Sequence, residues 1–324
     1  MLKSMYEARL ADLRGDYVGG RMYRTREERI RLGVILAILA IIVVALVLEL
    51  LFLPRYLSGD ESVQPSELVD DEFTVMSCNV RYFTPLDLFK RSWFYRAELI
   101  AEDIASVKPD IVGFQEVTWL HQGYLEDLMQ GYASEVAYRD NFIFAEGCPI
   151  YYRTDKYTLV ESGSFWLSET PDEMSKSWGS EHYRIAVYAV LRDNGTGKTL
   201  AVFNTHLDSK SKDARINGIK VVLDKIAELG NIPAILLGDL NAEPDSETLK
   251  SALESFEDVA LTADKADTGA TFHGFGEQPD RERIDYILTT IGDMRAYEYR
   301  IVDNCHDGTY SSDHSPIYAK LKIN

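Results

Sequence analysis

Twenty-one consecutive residues, Gly33 to Leu53 (GVILAILAIIVVALVLELLFL), carry a single charge, Glu49. As a helix such a stretch covers roughly 30 Å, the hydrocarbon thickness of a bilayer. A signal-peptide core is usually shorter and starts closer to the N-terminus, whereas mostly polar residues fill positions 1–32 here. No small-x-small cleavage pattern follows either, since Pro54-Arg55-Tyr56 comes next. The reading is a retained transmembrane helix over 33–53. Arg21, Arg24, Arg26, Arg29 and Arg31 precede the span, and Asp60 and Glu61 follow it. The positive-inside bias then makes residues 1–32 a cytoplasmic basic arm and places everything after the span outside the cytoplasm. Residues 54–72, polar and acidic with Pro65, form a linker to a soluble body over 73–324.

Charge follows the same division. Of 34 Lys/Arg and 52 Asp/Glu, residues 1–59 hold 9 and 6, leaving 25 and 46 for the remainder, a net of -21. Sequence-independent nucleic-acid binding draws on Lys/Arg at phosphates, so this body disfavours a polyanion without excluding one. Cys78, Cys148 and Cys305 have no Cys-x-x-Cys spacing and suggest neither a disulfide framework nor zinc.

The body alternates two periodicities. Strand-like runs cover Phe73–Val80, Asp110–Gln115, Ile150–Arg153, Tyr183–Leu191, Leu200–Asn204, Ala234–Leu237, Ile284–Leu288 and Ile317–Leu321. Helical spacing covers Ser92–Lys108, Leu120–Met129, Asp213–Leu229 and Ser246–Glu254, and Asn194-Gly195-Thr196-Gly197 marks a hairpin turn. The pattern predicts a layered α/β domain, two packed and mostly antiparallel sheets flanked by helices, after one transmembrane helix.

Polar residues gather where these strands stop. Asn79 closes the first run, Gln115-Glu116 the second, and Leu200–Asn204 leads into Thr205-His206-Leu207. Ala234–Leu237 leads into Gly238-Asp239-Leu240-Asn241, and Ser312-Asp313-His314 precedes the last strand. Any one of these reads equally well as a turn former or a structural histidine. Asp285, inside an apolar run, is different, because a buried carboxylate needs a partner.

In this order the motifs resemble the endonuclease/exonuclease/phosphatase superfamily, which includes pancreatic deoxyribonuclease, neutral sphingomyelinases and deadenylases; the match covers 73–322. The resemblance implies a four-layer α/β sandwich and a divalent-metal-dependent phosphoesterase. It implies metal ligation of Mg²⁺ (or Mn²⁺) by Asn79, Glu116 and Asp313, and catalysis by His206, Asp239, Asn241, Asp285 and His314. Asp239 would orient or deprotonate the attacking water, and Asn241 would hold that water or a phosphate oxygen. His206 and His314 would contact the phosphate, with Asp285 holding His314 cationic. Arg184, Trp166 and Trp178 are candidate substrate contacts, each equally readable as a packing residue. His121, His182 and His306 read as surface residues. The segments around Gly163–Pro171 and Thr271–Phe275 are similar to a bacterial branch whose substrates the sequence does not identify.

The function this supports is hydrolysis of a small or lipid-linked phosphoester outside the cytoplasm, with the membrane as partner through one helix and no protein partner inferred. An extracytoplasmic nuclease and an inactive binding module are the alternatives. A reporter fused after Lys320 is expected to behave as exported; reporter activity confined to the cytoplasm would reverse the topology.

Overall fold

The computed structural model of the protein describes residues 17–18, 21–22, 26–50, 63, 71–230, 232–278 and 283–324. A two-residue ladder joins β1 (Tyr17–Val18) to β2 (Arg21–Met22), and α1 runs Arg26–Leu50. Ile35, Leu36, Ile38, Leu39, Ile41 and Val44 are exposed on α1, which at 3.6 residues per turn takes in every side of it. Among the described residues this is the one helix long and apolar enough to cross a membrane, a property that a signal sequence shares. Positions 51–53 of the expected span, and most of the expected linker, lie outside the described residues. Within that linker stretch Val63 is buried and donates its N–H to the Leu128 carbonyl at 3.0 Å, and Glu72 already begins the first long strand.

The body is built from strands β3 (Glu72–Asn79), β4 (Ile111–Gln115), β5 (Tyr132–Glu135), β6 (Ile150–Arg153), β7 (Tyr157–Trp166), β8 (Ile185–Asp193), β9 (Thr199–His206) and β10 (Ala234–Asp239). It continues through β11 (Phe256–Asp258), β12 (Lys265–Ala266), β13 (Asp285–Thr290), β14 (Met294–Ile301), the small hairpin β15 (Cys305–His306) and β16 (Thr309–Tyr310), and β17 (Ile317–Ile323). Its helices are α2 (Trp93–Val107), α3 (Trp119–Leu128), α4 (Lys212–Glu228), α5 (Glu247–Ala252) and α6 (Val259–Thr262). One sheet has the order β12-β14-β17-β3-β4-β6-β5 and the other β11-β13-β10-β9-β8-β7. Pairing is parallel for β3 with β4, β9 with β10 and the short β12 with β14, and antiparallel elsewhere. Two sheets flanked by helices are what the sequence pattern predicts.

Successive side chains of a strand face opposite ways, so a strand covered on both sides must be apolar at every position. Residues Ile111–Gln115 and Ala234–Asp239 are accordingly buried throughout. Val75, Ile111, Val202, Ile235, Leu237 and Ile287 turn inward between the sheets. Met76, Val112 and Phe114 face α2 and α3, meeting Trp93, Ala97, Ile100 and Ile104 at helical spacing. Phe203, Leu236 and Leu288 face α4 and α5, meeting Ile219, Val222 and Leu249. The order helix, sheet, sheet, helix follows from those three cores.

Helix ends are set locally. Lys108, in the left-handed region at φ 51°, stops α2 one residue before Pro109, whose ring disfavours helix at the residue ahead of it. At the start of α3, Thr118 and His121 form a capping box in which Nδ1 of His121 accepts from the Thr118 N–H at 3.0 Å. This corrects the reading of His121 as a surface residue. It is fully buried against the Trp93 ring, and burial holds its pKa well below the ordinary value, so it stays neutral. His306 is partly exposed and faces Asp103, while His182 is the exposed one of the three. Strands β7 and β14 go unpredicted because polar residues interrupt their exposed faces.

The two sheets are tied by a polar clamp within the apolar layer. Nδ2 of Asn204 donates to the carbonyls of Phe114 at 2.7 Å and Pro149 at 2.9 Å, and Oδ1 accepts from Nε2 of Gln115 at 2.7 Å. Only glycine at 113 permits this approach, since a Cβ there would lie 2.8 Å from Asn204. Asn204→Leu removes three hydrogen bonds between the sheets, although Gln115 Nε2 keeps Ser77 and Gly113 and the Pro149 carbonyl keeps the Phe114 N–H, and each buried group that loses a partner costs about 1–3 kcal/mol. Denaturant unfolding followed by tryptophan fluorescence is expected to show a loss of roughly 2–5 kcal/mol, and a loss under 1 kcal/mol would mean the sheets are held by apolar contact alone.

Candidate active site

The inward columns of the central strands change character toward one end. Along β3 the sequence at alternate positions is Val75, Ser77, Asn79; along β4 it is Ile111, Gly113, Gln115. Along β9 it is Val202, Asn204, His206; along β10 it is Ile235, Leu237, Asp239. Register aligns the polar ends, with Asn79 beside Gln115, and His206 beside Asp239 beside Asp285. The site is therefore the inter-sheet core continued in polar residues.

Backbone strain lets the chain leave the strands there. Arg81, Glu116 and Asn241 have φ of 62°, 62° and 47°, a region non-glycine residues seldom occupy without a compensating environment. Gly238 has φ 140°, and a Cβ on it would meet the Thr205 carbonyl oxygen at 1.9 Å. Buried Arg96 on α2 supports the exits, donating to the Val80 carbonyl at 2.8 Å and the Ser311 carbonyl at 2.7 Å.

The result is a cavity of about 410 Å³ lined among others by Glu116, His206, Asp239, Asn241, Asp313 and His314. Asn79 lies just beneath, with Nδ2 donating to Glu116 at 3.3 Å and Asp239 at 3.2 Å, and Oδ1 accepting from the Arg81 N–H at 2.9 Å. Asp239 Oδ2 faces His206 Nε2 at 3.5 Å and His314 Nε2 at 3.7 Å, while Oδ1 accepts from the Asn241 N–H at 2.9 Å. Behind His314, Asp285 accepts at Nδ1 across 2.9 Å. Its own backbone N–H is held by Thr271 Oγ1 at 3.1 Å.

Burial and charge act on these groups in opposite senses. Burial pushes Asp239 up to about 7, helped by the negative charges of Asp285 and Glu116 and opposed by His314. For His314 burial alone would lower the value, but Asp285 and Asp239 outweigh it and raise it to about 10. His206 goes the other way, held well below its ordinary range by burial and by the positive charge of Arg184. One imidazole of the pair is thus cationic at neutral pH and the other neutral.

Hard oxygen donors suit Mg²⁺ or Mn²⁺, and the fit can be judged from charge. Glu116, Asp239 and Asp313 turn three carboxylates into one cavity. Arg81 meets Asp313 at 3.3 Å, and the Tyr82 N–H meets Glu116 at 2.6 Å. A divalent cation at Glu116 and Asp313 would relieve the negative charge that Asp239 registers. Asp239, Asp285 and His314 also lie within 4.8 Å of one another. As an imidazolium between two carboxylates, however, His314 has no lone pair for a metal.

Of the three candidate substrate contacts, Arg184 alone lines the cavity. It is buried, with its Nε lacking a hydrogen-bond partner and lying 3.9 Å from Asp208. Trp166 instead packs on the inter-sheet core and donates its indole N–H to the Arg139 carbonyl at 2.9 Å. Trp178 holds a loop, its carbonyl accepting from Ser211 Oγ at 2.6 Å. Neither tryptophan is among the residues that line the cavity. Arg81, Tyr82, Arg139, Glu146 and His182 also line it and were not foreseen. They lie in loops, where periodicity carries no signal; Arg81 alone had one, standing two residues after Asn79.

The Endonuclease/Exonuclease/phosphatase family profile matches residues 76–314. A solved endonuclease/exonuclease/phosphatase from Bacteroides vulgatus is 30% identical, with a TM-score of 0.74 over 78% of this chain and 99% of that one. A mannosyl-6-phosphatase of Bacteroides thetaiotaomicron is also 30% identical, with a TM-score of 0.71 over 78% of this chain and 100% of that one. The Ccr4 3'-5'-exoribonuclease subunit of the CCR4-Not complex from Kluyveromyces lactis is 24% identical over 65% of this chain and 32% of its own length. The chain thus spans only about a third of that relative.

Asp285→Asn removes the largest influence holding His314 protonated. Side-chain NMR is expected to show the His314 titration moving down from about 10. Because that folded value lies above the ordinary 6.5, the imidazolium adds stability that is complete below about pH 6.5 and is lost as pH climbs through about 10. The variant should lose that slope in unfolding experiments; an unchanged titration would detach His314 from Asp285.

Proposed function

The chain belongs to the endonuclease/exonuclease/phosphatase family of phosphoester hydrolases, and on that premise we propose that it is a divalent-metal-dependent hydrolase of a small phosphoester. We place it on the membrane through α1, with residues 73–324 as the catalytic domain on the non-cytoplasmic side.

The observation that carries this reading is the convergence of Asp239, His206 and His314 with Glu116 and Asp313 on one cavity of about 410 Å³, within the size range of small-molecule sites. Asp239, near 7, accepts the proton of an attacking water that Asn241 helps to position. The water oxygen bonds to phosphorus as the ester P–O bond breaks, and the departing alkoxide takes up a proton from solvent. His314, cationic and aimed by Asp285, and His206 beside it hold the phosphoryl oxygens where negative charge builds up. Arg184 and Arg139 offer further positive charge on the same wall. Asn79 orients the Glu116 and Asp239 carboxylates against each other. Mg²⁺ or Mn²⁺ held by Glu116 and Asp313, with Asn79 beside them, supplies charge neutralisation at the phosphate.

The likeness to a mannosyl-6-phosphatase makes phosphorylated sugars the first substrates to try. A nuclease is the second reading, favoured by the likeness to Ccr4. Against it stand the net -21 of residues 60–324 and the other engagements of Lys212 and Arg215, two of the basic residues that follow His206. Lys212 pairs with Glu247 at 2.8 Å, and Arg215 donates to the Asp208 carbonyl at 2.8 Å.

The test is hydrolysis by the full chain in detergent with Mg²⁺, against sugar phosphates, inositol phosphates, sphingomyelin, oligoadenylate and plasmid DNA. Asp239→Asn and His314→Ala are each expected to lower turnover of the accepted substrate by roughly 10²–10⁴-fold, with an unchanged circular dichroism spectrum. Chelation of divalent cations should abolish it. Near-parental turnover in either variant would refute the assignment, and activity restricted to oligoadenylate or DNA would install the nuclease.

A further inference from the structure

Beside the cavity the chain extends a short apolar finger. Its stem is Arg139 and Glu146, both lining the cavity and joined through two contacts at 2.7 and 2.9 Å, with the Arg139 N–H donating to the Glu146 carbonyl at 3.0 Å. Below the stem Gly147 bridges to Val117, its N–H reaching the Val117 carbonyl at 2.7 Å. The tip is held by local hydrogen bonds: the Ala145 N–H donates to Phe142 O at 2.9 Å, and the Phe142 N–H to the Asp140 carboxylate at 2.8 Å.

What this tip presents is Phe142, Ile143 and Phe144, exposed by 68, 67 and 39%. Trp119, 53% exposed at the start of α3, stacks on Phe144 with centroids 6.5 Å apart, and Phe83 also meets Phe144 with centroids 5.8 Å apart. From Asn141 to Ala145 there is no charge. A contiguous apolar surface beside an active site marks a contact made with something else.

We propose that the 139–146 finger, with Trp119, is a membrane-contact surface that seats the mouth of the cavity on the bilayer carrying α1. This rests on reading α1 as an anchor, and tether length points to that occupant. Val63 is fastened to the Leu128 carbonyl at the end of α3, the helix whose first residue is Trp119. Thirteen steps of chain join Leu50 to Val63, at most about 45 Å when fully extended. The ten residues of α3 add only about 15 Å between Val63 and the finger. The finger therefore lies within about 60 Å of chain from the end of α1, a reach that lets it meet the membrane surface. Charge agrees with an apolar contact, because a body at -21 gains nothing electrostatically from anionic lipid. Function agrees as well. A protein seated on the finger would cap the cavity, whereas a bilayer would bring phosphate groups at its surface to Arg139 and the residues beyond it.

The test uses the full chain in phosphatidylcholine nanodiscs, with Cys305→Ser and a nitroxide on Ile143→Cys; Cys78 and Cys148 are buried and unlabelled. The reference is the same label on Leu261→Cys, another exposed apolar position outside the finger. Collision with oxygen relative to a water-soluble nickel chelate is expected to be several-fold higher at 143 than at 261. Equal ratios would overturn the proposal, and so would a label at 143 shielded from both reagents, which would mean a protein surface covers the finger. Alkaline extraction separates the two readings. Release of the chain from the bilayer would bring down the anchor and the finger together, whereas retention with a nickel-accessible 143 would bring down the finger alone.

Discussion

Everything near the cavity depends on how closely the two sheets approach, and that is set by Asn204. An amide buried between sheets must satisfy two donors and an acceptor, and it does so only by reaching the opposite sheet at Phe114, Pro149 and Gln115. The geometry that satisfies Asn204 also brings Asn79 within 3.2 Å of Asp239, one step further along neighbouring strands. Glycine at 113 is the space this requires. Core and site are accordingly one layer that turns from apolar to polar over a few residues.

That transition explains the electrostatics. Deeper in the layer a carboxylate would be too costly, and at the open surface it would keep an ordinary proton affinity. At the border Asp239 is desolvated enough to hold its proton to about 7, and His314 is cationic because two carboxylates surround it. The neutral His206 beside them completes an asymmetric pair suited to a group that gains negative charge during reaction. Asp285 does not line the cavity, and it acts from behind, on His314 through a hydrogen bond and on Asp239 through its charge.

Much of the site was readable in order along the chain, because strands that end together place their last residues together. Asn79, Glu116, His206, Asp239 and Asn241 follow that rule, and Asp313 and His314 come just before β17, which starts at the same edge because it runs antiparallel to β3. Trp166 and Trp178 show its limit. Each is an aromatic near a motif, yet one packs inward and donates to Arg139 while the other anchors a turn. Arg96 escaped notice because it sits on a helix, and its role appears only where Val80 and Ser311 meet. His121 misled for a related reason: a polar residue early in a helix reads as exposed unless its capping bond is visible.

By itself the sequence determined the apolar helix, the alternation of strands and helices, and the ordered carboxylates, amides and imidazoles at strand ends. These are local properties, written in periodicity and in the cost of burying polar groups. Tertiary structure alone decided which side of each strand faces the other sheet, and therefore that Arg139, Arg184 and Glu146 join the cavity while two tryptophans do not. It also decided that Val63 is fastened to the end of α3 and that Phe142, Ile143 and Phe144 stand exposed next to the site. Contacts between residues far apart in the chain depend on packing, and packing leaves no period in a sequence to read.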